Sequence, residues 1–233
     1  MAAWKTALAL FGSYGASAAR LGFGIRVGDL GPRPEQALEL YEFEACPYCR
    51  RVREALTVLD LDAVIRPCPR GGTVYRPAQK RRGSGLFPFL VDPNTGVEME
   101  ESADIVAYLF SQYGAGPVPA MLRGPLSVLS SSMASAARAT SGRIAHPSTP
   151  PAEPLELFGF EGSPYVRLVR ETLCSLELTY VSRTVGKNSP GRPAFVQRAG
   201  KMQVPFLVDP NTGVEMFESA DIVNYLAQTY AAS

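Results

Sequence analysis

The sequence predicts an α/β protein made of two tandem domains of the same fold, each preceded by a helical lead segment. The first observation is a long internal repeat: Leu155 lies 117 positions after Leu38, and residues 88–99 return unchanged as residues 205–216. Self-similarity at a fixed long period defines the unit whose fold must be explained. The second is that apolar residues in each copy alternate first with the period of a strand and then with that of a helix. We therefore predict a lead at 1–35, a domain at 36–114, a helical linker at 115–153 and a second domain at 154–233.

Each domain is predicted to follow the order strand, helix, strand, strand, strand, helix. In the first copy the strands fall at residues 38–43, 63–65, 87–91 and 97–99, where apolar residues alternate or form short runs. A helix with Val52, Leu56 and Leu59 at helical spacing follows the first strand, and another begins near Ser102, which occupies an N-cap position. Residues 92–96 form a hairpin turn. Proline-rich joints at 31–34 and 146–151 separate domains from leads, because consecutive prolines suit neither helix nor strand.

The leads are predicted to be equivalent helices at residues 4–21 and 121–139, the second interrupted near Pro125. The Ala-Ser-Ala-Ala-Arg sequence at 16–20 reappears at 134–138. Because the leads were duplicated with the domains, we interpret residues 1–28 as part of the mature fold, although their composition resembles an organelle transit segment. A helix poor in polar residues gains its stability from packing. We expect the leads to lie against each other, the domains, a partner or a membrane surface.

Composition and charge exclude several classes of function. The chain has 233 residues, a hydrophobic content of 46% and a formal net charge of +1. So small a net charge creates no global field that would attract nucleic acid or an acidic membrane. The basic run at residues 80–82 lacks interleaved aromatic side chains, so we interpret it as a solvated loop. No apolar stretch approaches the ~18 residues that a membrane-spanning helix needs. We expect a soluble or peripheral protein with no nucleic-acid partner and no transmembrane segment.

The first domain carries a C-x-x-C motif that the second has lost. Cys46 and Cys49 bracket a Pro-Tyr pair after the first strand, and the second copy has Ser163 and Val166 in their places. Unpaired N–H groups and the helix dipole at a helix N-terminus favour a thiolate, so Cys46 is the candidate nucleophile. Cys49, one turn further on, is the candidate resolving thiol. The alternatives are a motif kept for packing or half of a zinc site.

The other cysteines and the single histidine are assigned weaker roles. Zinc would need a second ligand pair, and Cys68, Cys174 and His146 do not offer suitable spacing, so no metal is expected. Cys174 is expected to be a buried, inert thiol. Cys68 is expected to be structural, with a third redox thiol as the alternative. Four cysteines in this arrangement indicate a reducing compartment.

The order of elements, with C-P-Y-C at the first strand-to-helix turn, a proline before the third strand and Glu-Ser at the last helix, resembles the thioredoxin superfamily. More narrowly, it resembles the glutathione-binding N-terminal domain shared by glutaredoxins and glutathione S-transferases, over residues 38–114 and 155–231. The tandem arrangement and the Cys-Pro-Arg-Gly stretch at residues 68–71 resemble a group of plant and algal plastid proteins. The resemblance implies a plastid location, with the cytoplasm as the alternative.

The resemblance implies a glutathione site in each domain and assigns roles to its residues. Cys46 would be catalytic, and Pro88 would be a cis-proline that lets Phe87 present its main chain to the cysteinyl part of glutathione. Glu101 and Ser102 would hold the γ-glutamyl end, although helix capping alone also accounts for the serine. The remaining residues that we place in glutathione sites are Tyr48 in the first domain and Ser163, Tyr165, Val204, Pro205, Glu218 and Ser219 in the second.

The function predicted from these features is that of a glutathione-dependent thiol–disulfide oxidoreductase, whose partners are glutathione and glutathionylated or disulfide-containing proteins. The second domain would be redox-inactive and would bind glutathione or act as a scaffold. Ser163 resembles the serine of serine-type transferases. Those enzymes use a further all-helical domain, however, and only three residues follow Tyr230, so we do not expect conjugation. The main alternative is a non-catalytic subunit of a larger assembly, docked through the leads, and the third possibility is an iron–sulfur carrier.

Overall fold

The computed structural model describes residues 13–14, 23–136 and 141–232 of the chain. Both repeats fold as βαβαββα units, which confirms the predicted thioredoxin-like α/β class. In the first repeat, here called unit 1, the elements are β1 (Leu38–Glu42), α1 (Pro47–Val58), β2 (Ala63–Pro67), α2 (Arg76–Arg82), β3 (Phe89–Asp92), β4 (Val97–Met99) and α3 (Ser102–Tyr113).

The second repeat, here called unit 2, repeats this order after a short helical connection. A 3₁₀ turn at Ala120–Leu122 precedes α4 (Gly124–Ala136), and unit 2 then consists of β5 (Leu155–Gly159), α5 (Pro164–Ser175), β6 (Tyr180–Thr184), α6 (Arg192–Ala199), β7 (Phe206–Asp209), β8 (Val214–Phe217) and α7 (Ser219–Tyr230). None of the helices among the described residues is long and apolar enough to cross a membrane.

The two units share one continuous eight-stranded mixed sheet. Its strand order is β4-β3-β1-β2-β6-β5-β7-β8, so the units join where β2 pairs with β6. This pairing is antiparallel and is centred on Val64 opposite Val181, which are equivalent positions of the two repeats. In a twofold-symmetric dimer, the same surface of each subunit contacts its copy in the other. Here the two repeats of one chain make a contact of this kind. Among the described residues, the largest hydrophobic cluster runs through both units and includes Leu40 and Leu157, and each unit has a smaller cluster of its own.

The helices α2 and α6 were missed by the sequence analysis, which placed a solvated loop at residues 80–82. Each helix has proline at its first turn, where the missing N–H costs nothing. In α2 only Gln79 is buried, so no apolar stripe marks the segment. The helices start at Arg76 and Arg192, which lie 116 rather than 117 positions apart. The loop before α2 is therefore one residue longer than the loop before α6, and α6 is one residue longer than α2, so the rest of the repeat keeps its register.

The repeated hairpin turn between β3 and β4 has a structural role. Asp92 is fully buried. One of its carboxylate oxygens accepts a hydrogen bond from Asn94 N–H at 2.8 Å, and the other accepts from the hydroxyls of Tyr108 and Tyr113 at 2.7 and 2.5 Å. Asp209 makes the same contacts in unit 2. This network ties each hairpin to the last helix of its unit, which accounts for the unchanged sequence of the two turns.

The lead segments cross over, so that each one packs on the unit that it does not precede. Ahead of unit 1, Val27 N–H donates to the carbonyl of Lys187, and Lys187 N–H donates to Ile25. Ahead of unit 2, Arg70 in unit 1 makes the equivalent pair of bonds with residues 143 and 145. The predicted second lead helix is present as α4, which begins at Gly124 and packs on α1. Most of the predicted first lead helix, residues 4–21, lies outside the described residues, apart from the helical residues 13 and 14.

A buried group of charged side chains, here called the ionic cluster, lies between α1 and α5 at the junction of the units. Its members are Glu42, Glu44, Arg50, Arg53, Glu161, Arg167 and Arg170. Arg53 of unit 1 pairs with Glu161 of unit 2 at 2.9 Å, and Arg170 of unit 2 pairs with Glu44 of unit 1 at 2.9 Å. The two arginines thus connect the units.

Candidate functional site

Three loops that carry the predicted site residues meet at one edge of the sheet in unit 1. The strand β1 pairs with β3, and β3 pairs with β4, and both pairings are antiparallel. The end of β1, the start of β3 and the end of β4 therefore lie side by side. This topology brings Cys46, Pro88 and Ser102 to the same edge.

Cys46 is the N-cap residue of α1, as its position in the motif predicts. Its Sγ accepts a hydrogen bond from the N–H of Cys49 at 3.3 Å and lies 4.0 Å from the carbonyl oxygen of Phe87. Hydrogen bonding from Cys49 lowers the pKa of Cys46, although burial acts in the opposite direction. The residue is only 4% exposed. Its thiolate is stabilised, but access to the sulfur is narrow.

Cys49 has the opposite electrostatic character. It is completely buried in the first turn of α1, and this burial raises the pKa of its thiol well above the usual value. Two neighbouring thiols with pKa values moved in opposite directions can divide the roles of attacking and resolving groups. The geometry thus favours Cys46 as the thiolate and Cys49 as the protonated partner. The intervening Tyr48 is half exposed on the surface beside them.

The remaining cysteines are buried and hydrogen-bonded. Cys68 donates to the carbonyl oxygen of Arg66 at 3.4 Å, and burial raises the pKa of its thiol. Cys174 lies at the junction of the units, where it donates to Gly142 and accepts from the N–H of Glu44. Burial also raises the pKa of Cys174 well above its usual value. Neither thiol is placed for reaction with an external disulfide.

The peptide bond between Phe87 and Pro88 is cis. The carbonyl oxygen of Phe87 faces the Cys46 sulfur. The Phe87 ring packs edge-on against the ring of Phe43, with centroids 6.1 Å apart. The guanidinium of Arg76 lies 4.9 Å from the Phe87 ring centroid. These contacts hold the main chain of residue 87 beside the motif, which is where the resemblance places the cysteinyl part of glutathione.

The start of α3 differs from the prediction in one respect. Glu101, not Ser102, is the N-cap residue, and Ser102 is the first residue of the helix, so its hydroxyl is not used as an N-cap. Glu101 is exposed and has a φ of +68°, a conformation that L-residues rarely adopt. Glu218 repeats this at +70°. Both copies thus keep the same left-handed backbone at the residue before the last helix.

Arg51 is a site residue that the sequence analysis missed. Its guanidinium is buried, and it donates one hydrogen bond to Ser102 Oγ at 3.0 Å and another to the carbonyl of Leu122 at 2.8 Å. Because the Ser102 oxygen accepts from Arg51, the hydroxyl proton remains available to a ligand carboxylate. A comparison of the two repeats could have drawn attention to Arg51, because a charged residue in unit 1 is replaced by Leu168 at the equivalent position of unit 2.

In unit 2 the motif is contacted by the first lead. Ser163 is the N-cap of α5, and its Oγ accepts from Val166 N–H at 3.3 Å. Ser13 donates to the carbonyl of Pro164 at 2.9 Å. Tyr14 donates to the hydroxyl of Tyr165 at 2.9 Å, and the two rings meet edge-on. The first lead therefore lies beside the Ser163 motif, which agrees with the expectation that the leads lie against the domains.

The other predicted residues of unit 2 occupy positions equivalent to those of unit 1. The bond between Val204 and Pro205 is cis. Glu218 is the N-cap of α7, where its side chain accepts from Gln203 at 2.6 Å, and Ser219 is buried as the first residue of the helix. With leucine at position 168, this serine receives no equivalent of the Arg51 hydrogen bond. Among the described residues, no group of His, Cys, Asp and Glu side chains could hold a metal ion.

Comparison with known proteins agrees with this fold. The family profile described as "Glutathione S-transferase, N-terminal domain" matches the chain twice, at residues 40–117 and 157–233. The chain therefore belongs to this family and contains two of its domains in tandem. Domains of the family typically bind glutathione, which suggests a glutathione-related redox role. Searches of curated proteins and of solved structures found no match.

Proposed function

We propose that unit 1 is a glutathione-dependent thiol–disulfide oxidoreductase of the glutaredoxin type. The observation that carries this proposal is the position of Cys46 as the N-cap of α1, where its Sγ accepts from the N–H of Cys49 at 3.3 Å and lies 4.0 Å from the Phe87 carbonyl oxygen. Hydrogen bonding from Cys49 lowers the pKa of Cys46, while burial raises the pKa of Cys49, in keeping with that position. The substrates are glutathionylated or disulfide-containing proteins. The plastid location implied by the resemblance is part of the proposal, and imaging of a fluorescent fusion would test it.

The reaction begins when the Cys46 thiolate attacks the glutathione sulfur of a mixed disulfide. A Cys46–glutathione disulfide forms, and the substrate leaves as a thiolate that takes up a proton. The thiolate of a second glutathione then attacks the bound glutathione sulfur, which releases oxidised glutathione and restores the Cys46 thiolate. In the dithiol variant, Cys49 loses its proton and attacks Cys46. This releases reduced glutathione and leaves an intramolecular disulfide that two further glutathione molecules reduce.

The other site residues hold glutathione during these steps. The main chain of Phe87, beside the cis Pro88, pairs with the cysteinyl part, and Tyr48 flanks it. The carboxylate of Glu101 pairs with the γ-glutamyl amine, and Ser102 donates to the γ-glutamyl carboxylate. The buried charge of Arg51 adds a favourable field for that carboxylate. Charge-assisted bonds of this kind are stronger than neutral ones, so this end of the site fixes the ligand.

Unit 2 is proposed to be redox-inactive and to bind glutathione or act as a scaffold. Ser163 and Val166 cannot form a disulfide, but the hydroxyl of Ser163 can donate to a glutathione thiolate. Tyr165, Val204, Pro205, Glu218 and Ser219 would line the cleft in the same roles as their counterparts.

A second candidate function is a non-catalytic interaction or assembly subunit. The observation that favours it is the low exposure of Cys46, at 4%, because a sulfur with so little accessible surface reacts slowly with a bulky disulfide. The crossed leads and the shared sheet, which connect the two units through backbone hydrogen bonds, are also compatible with a scaffold.

The two candidates differ in the reactivity of Cys46. The decisive measurement is the rate of Cys46 alkylation by iodoacetamide against pH, combined with turnover of a glutathione mixed disulfide. The first proposal expects an alkylation midpoint below the ~8.5 of an ordinary thiol. It also expects no turnover in Cys46→Ser and largely intact turnover in Cys49→Ser. Equal loss in both variants would indicate a dithiol-only mechanism. An unreactive Cys46 with no turnover in the intact protein would establish the assembly candidate instead.

A further inference from the structure

Unit 2 contains an open cleft of about 330 Å³ that is separate from the Ser163 site. It lies between α6 and the strands β5 and β6, and it reaches across the junction to unit 1. Its walls include Asp62, Phe158, Arg183, Thr184, Gly191 and Phe195. The volume is at the lower end of the ~300–1,000 Å³ that is usual for small-molecule pockets.

In unit 1 the corresponding space is filled by the side chain of Tyr75. Its ring meets the ring of Tyr41 edge-on, with centroids 6.3 Å apart. The guanidinium of Arg66 lies 5.5 Å from the centroid of the Tyr75 ring. At the far end, the Tyr75 hydroxyl shares a hydrogen bond with the hydroxyl of Thr179, a residue of the other unit. The phenol is therefore recognised by an aromatic edge, a cation and a hydroxyl.

Each of these contacts has a counterpart in the walls of the cleft. Phe158 pairs with Arg183 across β5 and β6 just as Tyr41 pairs with Arg66 across β1 and β2. Asp62 takes the place of Thr179 at the equivalent position of the repeat.

The side chain that fills this space in unit 1 is absent from unit 2. Tyr75 is the N-cap of α2, and Gly191 is the N-cap of α6, each followed by Arg-Pro-Ala. Their backbones are alike, with φ and ψ of −99° and −31° for Tyr75 and of −75° and −13° for Gly191. A Cβ atom added at Gly191 would meet only Ser189 Oγ, at an ordinary 3.4 Å. The cleft thus keeps counterparts of the groups around Tyr75 but lacks the Tyr75 side chain, and α6 adds Phe195, whose ring stacks on Phe158 with centroids 5.1 Å apart.

We propose that this cleft is a second ligand site, which binds a p-hydroxyphenyl group in the position that Tyr75 occupies in unit 1. The guanidinium of Arg183 would lie over the ring in a cation–π contact, and Phe158 would meet the ring edge-on. The carboxylate of Asp62 is a stronger acceptor for the phenol proton than the threonine hydroxyl that it replaces. Arg183 is already held by Asp62, at 3.0 Å, and by Glu156, so the cation is in place before the ligand arrives.

The ligand can be a small phenol or the tyrosine side chain of a polypeptide, and the two are separated by choice of probe. One probe is p-cresol, which is the tyrosine side chain without its backbone, and the other is N-acetyl-L-tyrosinamide. Binding to the full-length protein is followed through the amide chemical shifts of Thr184 and Gly191. Tighter binding of p-cresol indicates a small phenol, and tighter binding of the amide indicates a polypeptide. Toluene, which has no hydroxyl, should bind about tenfold more weakly than p-cresol, because it loses a hydrogen bond to a charged group.

The matched variants exchange the two side chains. Gly191→Tyr should fill the cleft, keep or raise the melting temperature, and abolish the saturable shifts at Thr184. Tyr75→Gly should open a second p-cresol site in unit 1 whose occupation raises the melting temperature of that variant. The proposal is overturned if millimolar p-cresol moves neither amide of the intact protein. It is equally overturned if Gly191→Tyr binds p-cresol as the intact protein does, a result that stands even if Tyr75→Gly does not fold.

Discussion

Replacement of Glu161 by glutamine tests whether the ionic cluster joins the two units. The Glu161 side chain is 1% exposed and pairs with Arg53 at 2.9 Å, Arg170 at 2.8 Å and Arg50 at 3.3 Å. Burial alone would raise its pKa, but the arginines, Arg170 foremost, hold the pKa well below the usual value. Glutamine has the same shape, so the substitution removes charge without creating a cavity.

The expected loss of unfolding free energy is about 3–5 kcal/mol, the usual cost of leaving buried charges without their partner. This is a large share of the ~5–15 kcal/mol that stabilises a typical folded protein. Because the arginines around Glu161 come from both units, the variant should still unfold in one transition. Glu44→Gln, the equivalent change in unit 1, should have a similar effect.

Urea unfolding followed by circular dichroism measures this loss. The matched control is Glu98→Gln, because Glu98 pairs with Arg82 on the surface, where the two side chains are 42% and 38% exposed. An exposed pair of this kind contributes ~0–1 kcal/mol. If Glu161→Gln costs no more than the control, the ionic cluster does not stabilise the junction of the two units.

Three further predictions concern the site, the ionic cluster and the leads. Arg51→Leu, which copies Leu168 of unit 2, should weaken glutathione binding to unit 1 about tenfold in calorimetry, the loss expected for a charged hydrogen bond. Cysteinylglycine lacks the γ-glutamyl group, so its binding should not change. Equal weakening for cysteinylglycine would contradict a role of Arg51 at the γ-glutamyl end of the site. Burial raises the pKa of Glu42 from 4.5 to about 7 against the attraction of Arg53, so the folded state holds this proton more tightly than the unfolded chain does. The protein should therefore lose stability as pH rises from about 4.5 to about 7, and Glu42→Gln should lack this slope in a pH series of urea unfolding curves. Deletion of residues 1–30 should lower the melting temperature and raise amide hydrogen exchange around Lys187 in unit 2, because the deleted segment forms backbone hydrogen bonds with Lys187. If hydrogen exchange increases only in unit 1, the leads do not cross in solution.

Local patterns predicted most of each unit and failed where no local signal exists. The alternation of β1, the spacing in α1 and the proline before β3 are properties of neighbouring residues, and the structure contains all three features. Helix α2 has no apolar stripe, so periodicity did not reveal it. The N-cap was assigned to Ser102 because serine is a favoured capping residue. Glu101 holds that position with a positive φ, which no propensity would suggest.

The amino-acid sequence by itself determined the repeat, the βαβαββα order and the placement of Cys46 at a helix N-terminus, because these depend on residues close together in the chain. Only the tertiary structure decided that β2 pairs with β6, that each lead crosses to the other unit, and that Arg51 reaches Ser102. It alone showed that Gly191 leaves open the space that Tyr75 fills. These features arise from contacts between residues far apart in the chain. Their stability comes from burial and charge pairing across the junction, and such contacts produce no periodic pattern in the sequence.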